Sequence, residues 1–300
     1  MSNRQEDGYL SGFIAITGPP NAGKSTLLNR LLDKKIAIVT PKPQTTRNRI
    51  RGVYHGDGFQ MVFVDTPGIH KPHSLLHESM VTSAKEVLHE VDIILVIVDM
   101  LHHDSPDIPL ILRKLKQNKK SSLLLINKTD MGPKELVLPI IDNFRRQYPF
   151  EAIIPISALR GEGIERLLGE IKVRLKPGPP FFPENMATDQ SETFFIAEVV
   201  REKIYLHSRK ELPYSSAVTV EKHEEIPEKD LTSISARIHV ETESQKAILI
   251  GHQGRMIKAI GRSSRLELEK ILGSRVYLDL RVRVEKNWSK DTKALRKLGY

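Results

Sequence analysis

The chain contains a glycine-rich octapeptide that restricts what it can fold into. Residues 18–25 read GPPNAGKS, which fits the pattern G-x-x-x-x-G-K-S/T. An apolar stretch at 13–16 precedes the octapeptide, and an apolar pattern with helical spacing follows it at 26–32. A loop of this composition between a strand and a helix is typical of proteins that bind the phosphates of a nucleotide. The octapeptide therefore predicts an α/β fold with a phosphate-binding loop directly after a buried strand.

Each residue type in this loop has a physical role. Gly18 and Gly23 let backbone N–H groups close around phosphates, and Lys24 adds a positive charge beside the outer phosphates. Ser25 offers a hydroxyl to Mg²⁺, and the helix that follows directs the positive end of its dipole at the same place. We therefore predict nucleotide contacts at these positions of the loop: Gly18, Asn21, Ala22, Gly23, Lys24, Ser25 and Thr26.

Two segments downstream of the loop are predicted to complete the phosphate and metal site. The motif DTPG at 65–68 follows an apolar stretch, and an acid at such a strand end can hold Mg²⁺, usually through water. The Gly68 N–H would sense the terminal phosphate. Residues 40–47, TPKPQTTR, predict a loop whose threonine hydroxyl closes over the metal ion. We predict Thr46 for that hydroxyl, with Thr45 as the second choice.

Motifs at two later strand ends would recognise the base. The tetrapeptide NKTD ends in Asp130, whose two carboxylate oxygens match the N1–H and 2-amino groups of guanine. Adenine offers neither donor there, so the carboxylate would be left unpaired. The stem of Lys128 would cover the base, and Asn127 would tie this loop to the phosphate loop. Ser157 and Ala158 follow the next apolar stretch, and the Ala158 N–H would donate to the guanine O6.

These five motifs resemble the guanine-nucleotide domain of the translation-factor-type GTPases. The form G-x-P-N-x-G-K-S together with Q-T-T-R is similar to the Era branch of that family, alongside the Der and tRNA-modification GTPases. The resemblance implies an enzyme that hydrolyses GTP and binds GTP or GDP with Mg²⁺. The family's five elements fall on 18–25, 44–48, 65–68, 127–130 and 157–159. The implied catalytic residues are Lys24, Asn21, Thr46 and Gly68, and the implied Mg²⁺ site comprises Ser25, Thr46 and Asp65.

The resemblance also bears on how hydrolysis would proceed. Many small GTPases have a water-orienting Gln directly after the D-x-x-G motif, where this chain has Ile69. An apolar side chain cannot orient the attacking water, so we expect slow intrinsic turnover or another group in that role. Some relatives use K⁺ held partly by an Asn at the position of Asn21, which implies K⁺ as a further cofactor. The alternative, that Asn21 only braces the loop through backbone hydrogen bonds, stays open.

A proline-rich segment divides the chain. Residues 176–183 read KPGPPFFP, which stops a helix and favours a stiff, extended connector. Before this segment, apolar strands alternate with helical patterns, which predicts a mostly parallel sheet with helices on both faces. We predict an α/β domain at 1–175, a Pro-rich linker at 176–190 and an α+β domain at 191–300. The strands predicted for the first domain are 13–17, 60–65, 93–98, 122–127 and 152–156.

The positive charge of the chain is concentrated at its C-terminal end. The formal net charge is +9, and the last fifty residues hold thirteen Lys or Arg against five acids. Such an excess favours a polyanionic partner, although a solvated charged surface is the alternative. A G-x-x-G turn at 251–254 lies in the same region, between two amphipathic helical patterns. With two strands before the helix pair and one after it, the region resembles a type II KH domain.

A KH domain binds single-stranded RNA with the backbone against its G-x-x-G turn. The resemblance therefore implies RNA contacts at the turn and on the helix that follows it, and no DNA partner is expected. Trp288 follows the last strand, where base stacking and packing against the domain are equally open. The RNA-binding residues implied in this way are Gly251, His252, Gln253, Gly254, Arg255 and Lys258.

The two resemblances together cover essentially the whole chain, as an α/β P-loop GTPase domain followed by an α+β type II KH domain. They imply binding to the 3′ region of 16S rRNA, a role in assembly of the 30S subunit, and peripheral association with the inner membrane face. The chain has no Cys and starts with a polar segment rather than a signal-peptide pattern, so we expect a cytoplasmic protein. Two other roles stay open: an RNA-binding scaffold with incidental hydrolysis, and a basic tail that binds anionic lipid.

Overall fold

The computed structural model describes residues 8–68 and 74–300. Within these ranges the chain forms two compact units, which are described separately. The first unit comprises 8–37, 46–68 and 79–189, and the second comprises 38–45, 74–78 and 190–300.

The first unit is built on a mixed sheet. Its seven strands within the described ranges are β1 (Leu10–Thr17), β2 (Ile50–Gly56), β3 (Phe59–Asp65), β4 (Ile93–Asp99), β5 (Ser121–Asn127), β6 (Ala152–Pro155) and β7 (Lys176–Pro177). They lie in the order β2-β3-β1-β4-β5-β6, and β7 adds to β1. β2 is antiparallel to β3 and β7 to β1, whereas the other pairs are parallel. The predicted mostly parallel sheet is therefore confirmed.

Helices cover both faces of this sheet, as predicted. One core contains Leu27 and Leu167 from two helices on one face, and another contains Ile111 and Phe144 from two helices on the other. The central strands carry continuous apolar runs, 93–98 in β4 and 123–126 in β5, because both of their faces are buried in this way. The helices that begin in this part of the chain are α1 (Lys24–Leu31), α2 (Leu75–Glu90), α3 (Ile108–Asn118), α4 (Val137–Gln147) and α5 (Ile164–Lys172).

Strand β2 is absent from the sequence prediction. Its sequence, IRGVYHG, contains two glycines and two basic residues and lacks a continuous apolar run. It lies at the edge of the sheet and pairs only with β3 among the described strands, so one of its backbone edges needs no buried partner. The prediction therefore failed where burial on both faces, the strongest strand signal, is missing.

The compact units do not divide the chain at the predicted boundaries. The proline-rich segment groups with the first unit up to residue 189. Gln60 explains part of this grouping, because its side-chain oxygen accepts the N–H groups of Phe181 and Phe182 at 2.7 and 3.1 Å. Residues 38–45, which we name the threonine loop, group with the second unit instead. The predicted domain boundaries remain a prediction.

The second unit contains a sheet of three strands within the described residues, with helices packed on one side. β8 (Ala217–Ile226) is antiparallel to β9 (Leu231–Val240), and β10 (Arg275–Val284) is parallel to β9. A parallel pair needs a crossover, and the helix pair between β9 and β10 provides it. The predicted order of two strands, a helix pair and a last strand is confirmed. The helices of this unit are α6 (Glu192–His207), α7 (Glu243–Ile250), α8 (Arg255–Leu272) and α9 (Thr292–Lys297).

Trp288 packs inside the second unit and is not available for base stacking. Its side chain is 1% exposed, and its indole N–H donates to the carbonyl of Ser215 at 3.2 Å. The ring stacks on Tyr300 with 5.8 Å between centroids. The structure therefore decides between the two alternatives that the sequence left open.

No helix among the described residues combines the length and the apolar composition that crossing a bilayer requires.

Candidate nucleotide site and G-x-x-G turn

The phosphate loop depends on two glycines that other parts of the first unit approach closely. A Cβ on Gly18 would lie 2.2 Å from the carbonyl oxygen of Ile97. Gly23 has φ of +102°, and a Cβ there would lie 2.2 Å from Nδ2 of Asn127. Both distances are far below contact distance, and the second backbone conformation is one that L side chains rarely adopt. The sequence pattern therefore reflects packing against β4 and β5 as well as room for phosphate.

Lys24 is buried at the centre of this loop. Its ammonium group donates to the carbonyls of Gly18 and Pro19 at 3.1 and 2.8 Å, and the residue is 7% exposed. Burial lowers its pKa to about 8, opposed by the negative charge of Asp65. A Cβ built on Gly68 would be 3.5 Å from the ammonium nitrogen, so Gly68 lies beside Lys24, and its contact with a terminal phosphate stays a prediction. A phosphate would give the charged amine a stronger partner than two carbonyls do.

Two hydroxyls and one carboxylate converge next to Lys24. Ser25 Oγ donates to Asp65 Oδ2 at 2.7 Å and lies 2.8 Å from Thr46 Oγ1, which is 3.3 Å from the same carboxylate oxygen. Burial raises the pKa of Asp65 to about 6, although Lys24 and the hydrogen bonds act to lower it. Asp65 Oδ1 is buried and has no hydrogen-bond partner among the described residues. Hydroxyl and carboxylate oxygens with unused capacity suit Mg²⁺, so the residues present fit this ion.

Of the two candidate threonines, only Thr46 has a hydroxyl in this cluster. Thr45 Oγ1 instead donates to the Lys42 carbonyl at 2.8 Å and pairs with Thr40 Oγ1 at 2.7 Å, both within the threonine loop. The geometry therefore favours the first choice made from the sequence.

Asn127 joins three loops of the first unit. Its side-chain N–H donates to the Ala22 carbonyl in the phosphate loop at 2.8 Å. Its side-chain oxygen accepts the Ala158 N–H at 2.9 Å. The sequence-based expectation that Asn127 ties the base-binding loop to the phosphate loop agrees with this geometry. The Ala158 N–H, predicted to donate to a guanine oxygen, is engaged by Asn127 in this structure.

Asp130 and Lys128 are two of the residues predicted to recognise the base. Ser157 Oγ donates to Asp130 Oδ1 at 2.6 Å, and the Asp130 side chain is 8% exposed. Lys128 has a left-handed backbone with φ of 66°, and its ammonium group contacts Asp99 Oδ2 at 2.7 Å. Burial acts to raise the pKa of Asp99, but the hydrogen bond and charge of Lys128, together with hydrogen bonds from the Leu101 N–H and His102, lower that pKa overall. The Asp99 contact fixes the far end of the Lys128 side chain, and the role of its stem in covering the base stays a prediction.

The sequence motifs missed three residues that support the site. Asp99 holds Lys128 from the end of β4, and Arg30 donates to the carbonyls of Ala158 and Leu159 at 3.2 and 2.6 Å. Asn29 Oδ1 accepts two backbone N–H groups, at residues 36 and 37, where the chain leaves α1. Only Asp99 had a sequence signal, because it ends a strand at the same sheet edge as the motifs. Arg30 and Asn29 read as ordinary helix residues.

Two other predictions stay predictions. Asn21 is exposed and has φ of 60°, a conformation that Asn tolerates better than most residues. This geometry does not decide between a K⁺ ligand and a bracing residue. Ile69, on which the expectation of slow turnover depends, lies outside the described residues.

The G-x-x-G turn connects α7 to α8 in the second unit. Gly251 has φ of 73°, and a Cβ there would lie 2.8 Å from Cβ of Met256, so a larger residue would strain the turn. The Gly254 N–H closes the turn by donating to the Gly251 carbonyl at 3.0 Å. The side chains proposed to meet RNA at the turn and on the first part of α8 are exposed: His252, Gln253, Arg255 and Lys258.

Comparison with known families agrees with the two units. Residues 13–128 match the family described as 50S ribosome-binding GTPase, and residues 211–289 match the KH domain family. The match to GTPase Era of Syntrophus aciditrophicus (strain SB) is 49% identical over 292 residues, covering 97% of this chain and 95% of the relative. The chain belongs to the GTPase Era family. It is therefore a GTP-hydrolysing enzyme with a KH domain.

Other family members support the same assignment at full length. GTPase Era of Geotalea uraniireducens (strain Rf4) is 47% identical, covering 98% of this chain and 99% of the relative. A crystal structure of an Aquifex aeolicus Era variant bound to GDP and AlF₄⁻ superposes with a TM-score of 0.93 at 40% identity. A structure of Era with MgGDPNP and nucleotides 1506–1542 of 16S ribosomal RNA has the same TM-score and identity. Each structural match covers 97% of this chain and 99% of the other.

Asp65 should make the free energy of unfolding of the nucleotide-free protein decrease as the pH rises. Burial raises its pKa from 3.8 to about 6, so between these values the folded chain binds more protons than the unfolded chain. The contribution of this group to the free energy of unfolding therefore falls as the pH rises through that window, by about 2–3 kcal/mol in all. We expect Asp65→Asn to lack this decline.

Urea unfolding of both proteins between about pH 4 and 8, without Mg²⁺ or nucleotide, measures the effect. The stability difference in favour of Asp65→Asn should grow up to about pH 6 and then stay constant. A difference that is independent of pH would contradict the assignment.

Proposed function

We propose that this enzyme is a nucleotide-operated switch that binds the 3′ region of 16S rRNA through its KH domain during assembly of the 30S subunit. The observation that carries the proposal is the full-length similarity to Era in complex with MgGDPNP and nucleotides 1506–1542 of 16S rRNA. The domains would be the predicted ones, 1–175, 176–190 and 191–300. We propose a cytoplasmic protein, with peripheral association with the anionic inner membrane face as a secondary property.

The proposed phosphate contacts follow from the geometry of the loop. Lys24 would leave its two carbonyl partners for the outer phosphates, and the N–H groups from Gly18 to Thr26 would surround them. Ser25 and Thr46 would coordinate Mg²⁺ directly, and Asp65 would hold it through water. Bound Mg²⁺ supplies positive charge that offsets the charge developing on the transferred phosphoryl group.

Hydrolysis itself exchanges one P–O bond for another. The oxygen of a water molecule bonds to the γ-phosphorus, the bond from that phosphorus to the β–γ bridging oxygen breaks, and GDP leaves with the electron pair. The proton lost by the water ends on phosphate. The residues' part is to hold the phosphates, by Lys24 and the Gly68 N–H, and to stabilise their charge. Asn21 is proposed to hold K⁺ next to the same phosphates.

The base contacts proposed for Asn127, Lys128, Asp130, Ser157 and Ala158 make the site selective for guanine. The Asp130 carboxylate is nearly buried and held by Ser157, so an adenine would leave one of its oxygens without a donor. Such a loss in a site built for hydrogen bonding gives a larger discrimination than a difference in shape would.

The RNA surface is proposed at the G-x-x-G turn of the second unit. The exposed Arg255 and Lys258 lie one turn apart at the start of α8, next to the exposed loop residues His252 and Gln253. Phosphates of single-stranded RNA would meet these cations and the N-terminus of α8. The GTPase family description names the 50S subunit, but it covers only the first unit. The KH domain and the full-length relatives favour 16S rRNA as the partner.

Replacing Asp130 by Asn should change the nucleotide that the enzyme prefers. The substitution exchanges one acceptor for a donor, so GTP affinity should fall by roughly 100-fold or more while xanthosine triphosphate gains. Competition binding with GTP, ATP and XTP measures the shift, with the exposed Asp142→Asn as a matched control that keeps GTP preference. Equal affinity of the unmodified protein for ATP and GTP would remove the guanine assignment.

The proposed K⁺ role predicts that the monovalent cation changes the rate of hydrolysis. At equal ionic strength, single-turnover hydrolysis should be faster in KCl than in NaCl, because a bound cation stabilises charge on the phosphates. Asn21→Ala should still bind GTP and should lose the difference between the two salts. The same rate in both salts for the unmodified protein would exclude the K⁺ role and leave Asn21 as a bracing residue.

Two acids in the G-x-x-G turn should weaken RNA binding without affecting basal hydrolysis. His252→Asp with Gln253→Asp adds two negative charges where phosphates would lie, while both glycines stay in place. Gln253 has φ of 53°, which Asp and Asn both tolerate, so the fold should be unchanged. RNA affinity should fall at least about tenfold, and any stimulation of hydrolysis by RNA should disappear.

The matched control carries Asn at the same two positions, because it changes shape without adding charge. Binding of a single-stranded RNA from the 16S rRNA 3′ region, measured for both variants, separates the two effects. If the double-Asp protein binds this RNA as well as the unmodified protein does, the RNA surface lies elsewhere in the basic C-terminal region.

A further inference from the structure

Strand β8 of the second unit contains an extra residue that changes which side chains face the helices. Val220 lies opposite Ala236 of β9. Two residues further along β8, Lys222 lies opposite Ser235, which is only one residue further along β9. A bulge of this kind re-aims the side chains that follow it, and bulges are frequent next to functional sites.

The bulge places His223 and Glu225 on the side of the sheet that the helices cover. These two residues lie opposite Ile234 and Thr232, which are both buried. Strict alternation from Val220, which packs against the core on that side, would have placed the even-numbered residues of β8 there instead. The extra residue therefore turns an imidazole and a carboxylate toward the helices.

The first turn of α6 brings a second glutamate to the same place. Ile196 of α6 shares a buried cluster with Ile234, so the start of the helix lies over this end of β8. Glu192, one turn earlier, has a carboxylate oxygen 3.9 Å from Nδ1 of His223. One ligand atom from each of Glu192, His223 and Glu225 lies within 4.8 Å of the other two. We name these three residues the His223 cluster.

The His223 cluster has unused capacity to bind a cation. The ring of His223 forms no hydrogen bond with the described residues, and its Nε2 is buried without a partner. The two carboxylates of the cluster have no Lys or Arg partner in the described part of the chain. The neighbouring acids of β8 differ, because Glu221 pairs with Arg237 and Glu224 pairs with Lys222. Two carboxylates held this close repel each other, and a bound cation would remove that repulsion.

One imidazole and two carboxylates form a ligand set for a divalent transition metal. Imidazole is a good ligand for Zn²⁺, whereas Mg²⁺ and Ca²⁺ prefer oxygen ligands. Zn²⁺ holds its N and O ligands at about 2.0–2.2 Å, so two ligands of one ion lie roughly 3–4 Å apart. The separations of up to 4.8 Å are slightly larger, and rotation of the two exposed glutamate side chains can close the difference. Three protein ligands would leave a fourth position for water.

We propose that Glu192, His223 and Glu225 bind one divalent transition-metal ion of the Zn²⁺ type in the second unit. The ion would fasten the first turn of α6 to strand β8. Because the unfolded chain does not hold the three ligands together, the ion would bind the folded unit and stabilise it. This site is separate from the Mg²⁺ site proposed for the nucleotide, whose ligands are oxygen atoms only.

The test measures calorimetric Zn²⁺ binding to the full-length protein, first freed of metal with a chelator and then saturated with MgGDP to occupy the nucleotide site. Glu225→Gln should weaken the tightest Zn²⁺ binding about tenfold or more, because an amide is a poorer ligand than a carboxylate. Glu224→Gln is the matched control, since it removes the same charge from an exposed neighbouring position that pairs with Lys222. It should leave the Zn²⁺ affinity within about twofold of the unmodified protein.

Thermal unfolding tests whether the ion stabilises the fold. Zn²⁺ should raise the Tm of the unmodified protein and of Glu224→Gln, but not that of His223→Gln. If His223→Gln does not fold, Glu192→Gln at an exposed position replaces it and should also bind Zn²⁺ about tenfold more weakly or worse. Equal Zn²⁺ affinity in the unmodified protein, Glu192→Gln and Glu225→Gln would overturn the inference. An equal loss of affinity in Glu224→Gln, or displacement of Zn²⁺ by Mg²⁺, would overturn it too.

Discussion

The carboxyl edge of the sheet holds two buried charges that the protein itself satisfies only in part. Lys24 has two carbonyls for partners, and one oxygen of Asp65 has no partner among the described residues. Burial disfavours the charged form of each group, so it lowers the pKa of the Lys24 amine to about 8 and raises the pKa of the Asp65 carboxyl to about 6. A site of this kind loses stability when empty, and a phosphate with its metal ion restores the missing interactions. We therefore expect bound nucleotide with Mg²⁺ to stabilise the folded protein.

The arrangement of the sheet explains why much of this site is predictable from sequence. The phosphate loop directly follows β1, and Asp65 and Asn127 are the last residues of β3 and β5. These parallel strands place their carboxyl ends at one edge of the sheet. A contiguous motif next to a predicted strand end can therefore be placed at this edge of the sheet from the sequence alone. The threonine that faces Mg²⁺ was less certain from sequence, and Thr46 was only the first choice over Thr45. Both lie in a loop, where neither periodicity nor spacing distinguishes them.

Contacts between distant parts of the sequence were not predictable in this way. Arg30 supports the Ala158 loop from a helix surface, and Gln60 holds the proline-rich segment from within a strand. Glu198, Arg201 and Glu202 on α6 would be expected to face solvent, since Glu and Arg are seldom fully buried, yet all three are buried. The threonine loop explains this for Arg201 and Glu202, because it forms hydrogen bonds with them from positions 156 and 163 residues earlier in the sequence. Edge strand β2 was not predicted for a different reason. It lacks the burial on both faces that gives a central strand its continuous apolar run.

A nucleotide-operated switch requires that nucleotide state and RNA binding are coupled. The most direct test measures the affinity of the full-length protein for the 16S rRNA 3′ segment when it is saturated with Mg²⁺ and either GDPNP or GDP. The account predicts affinities that differ by roughly 5- to 150-fold, with a reciprocal effect of RNA on the relative affinity for the two nucleotides. Identical RNA affinities in both states, with GTP turnover unaffected by RNA, would contradict the switch and favour a scaffold whose hydrolysis is incidental.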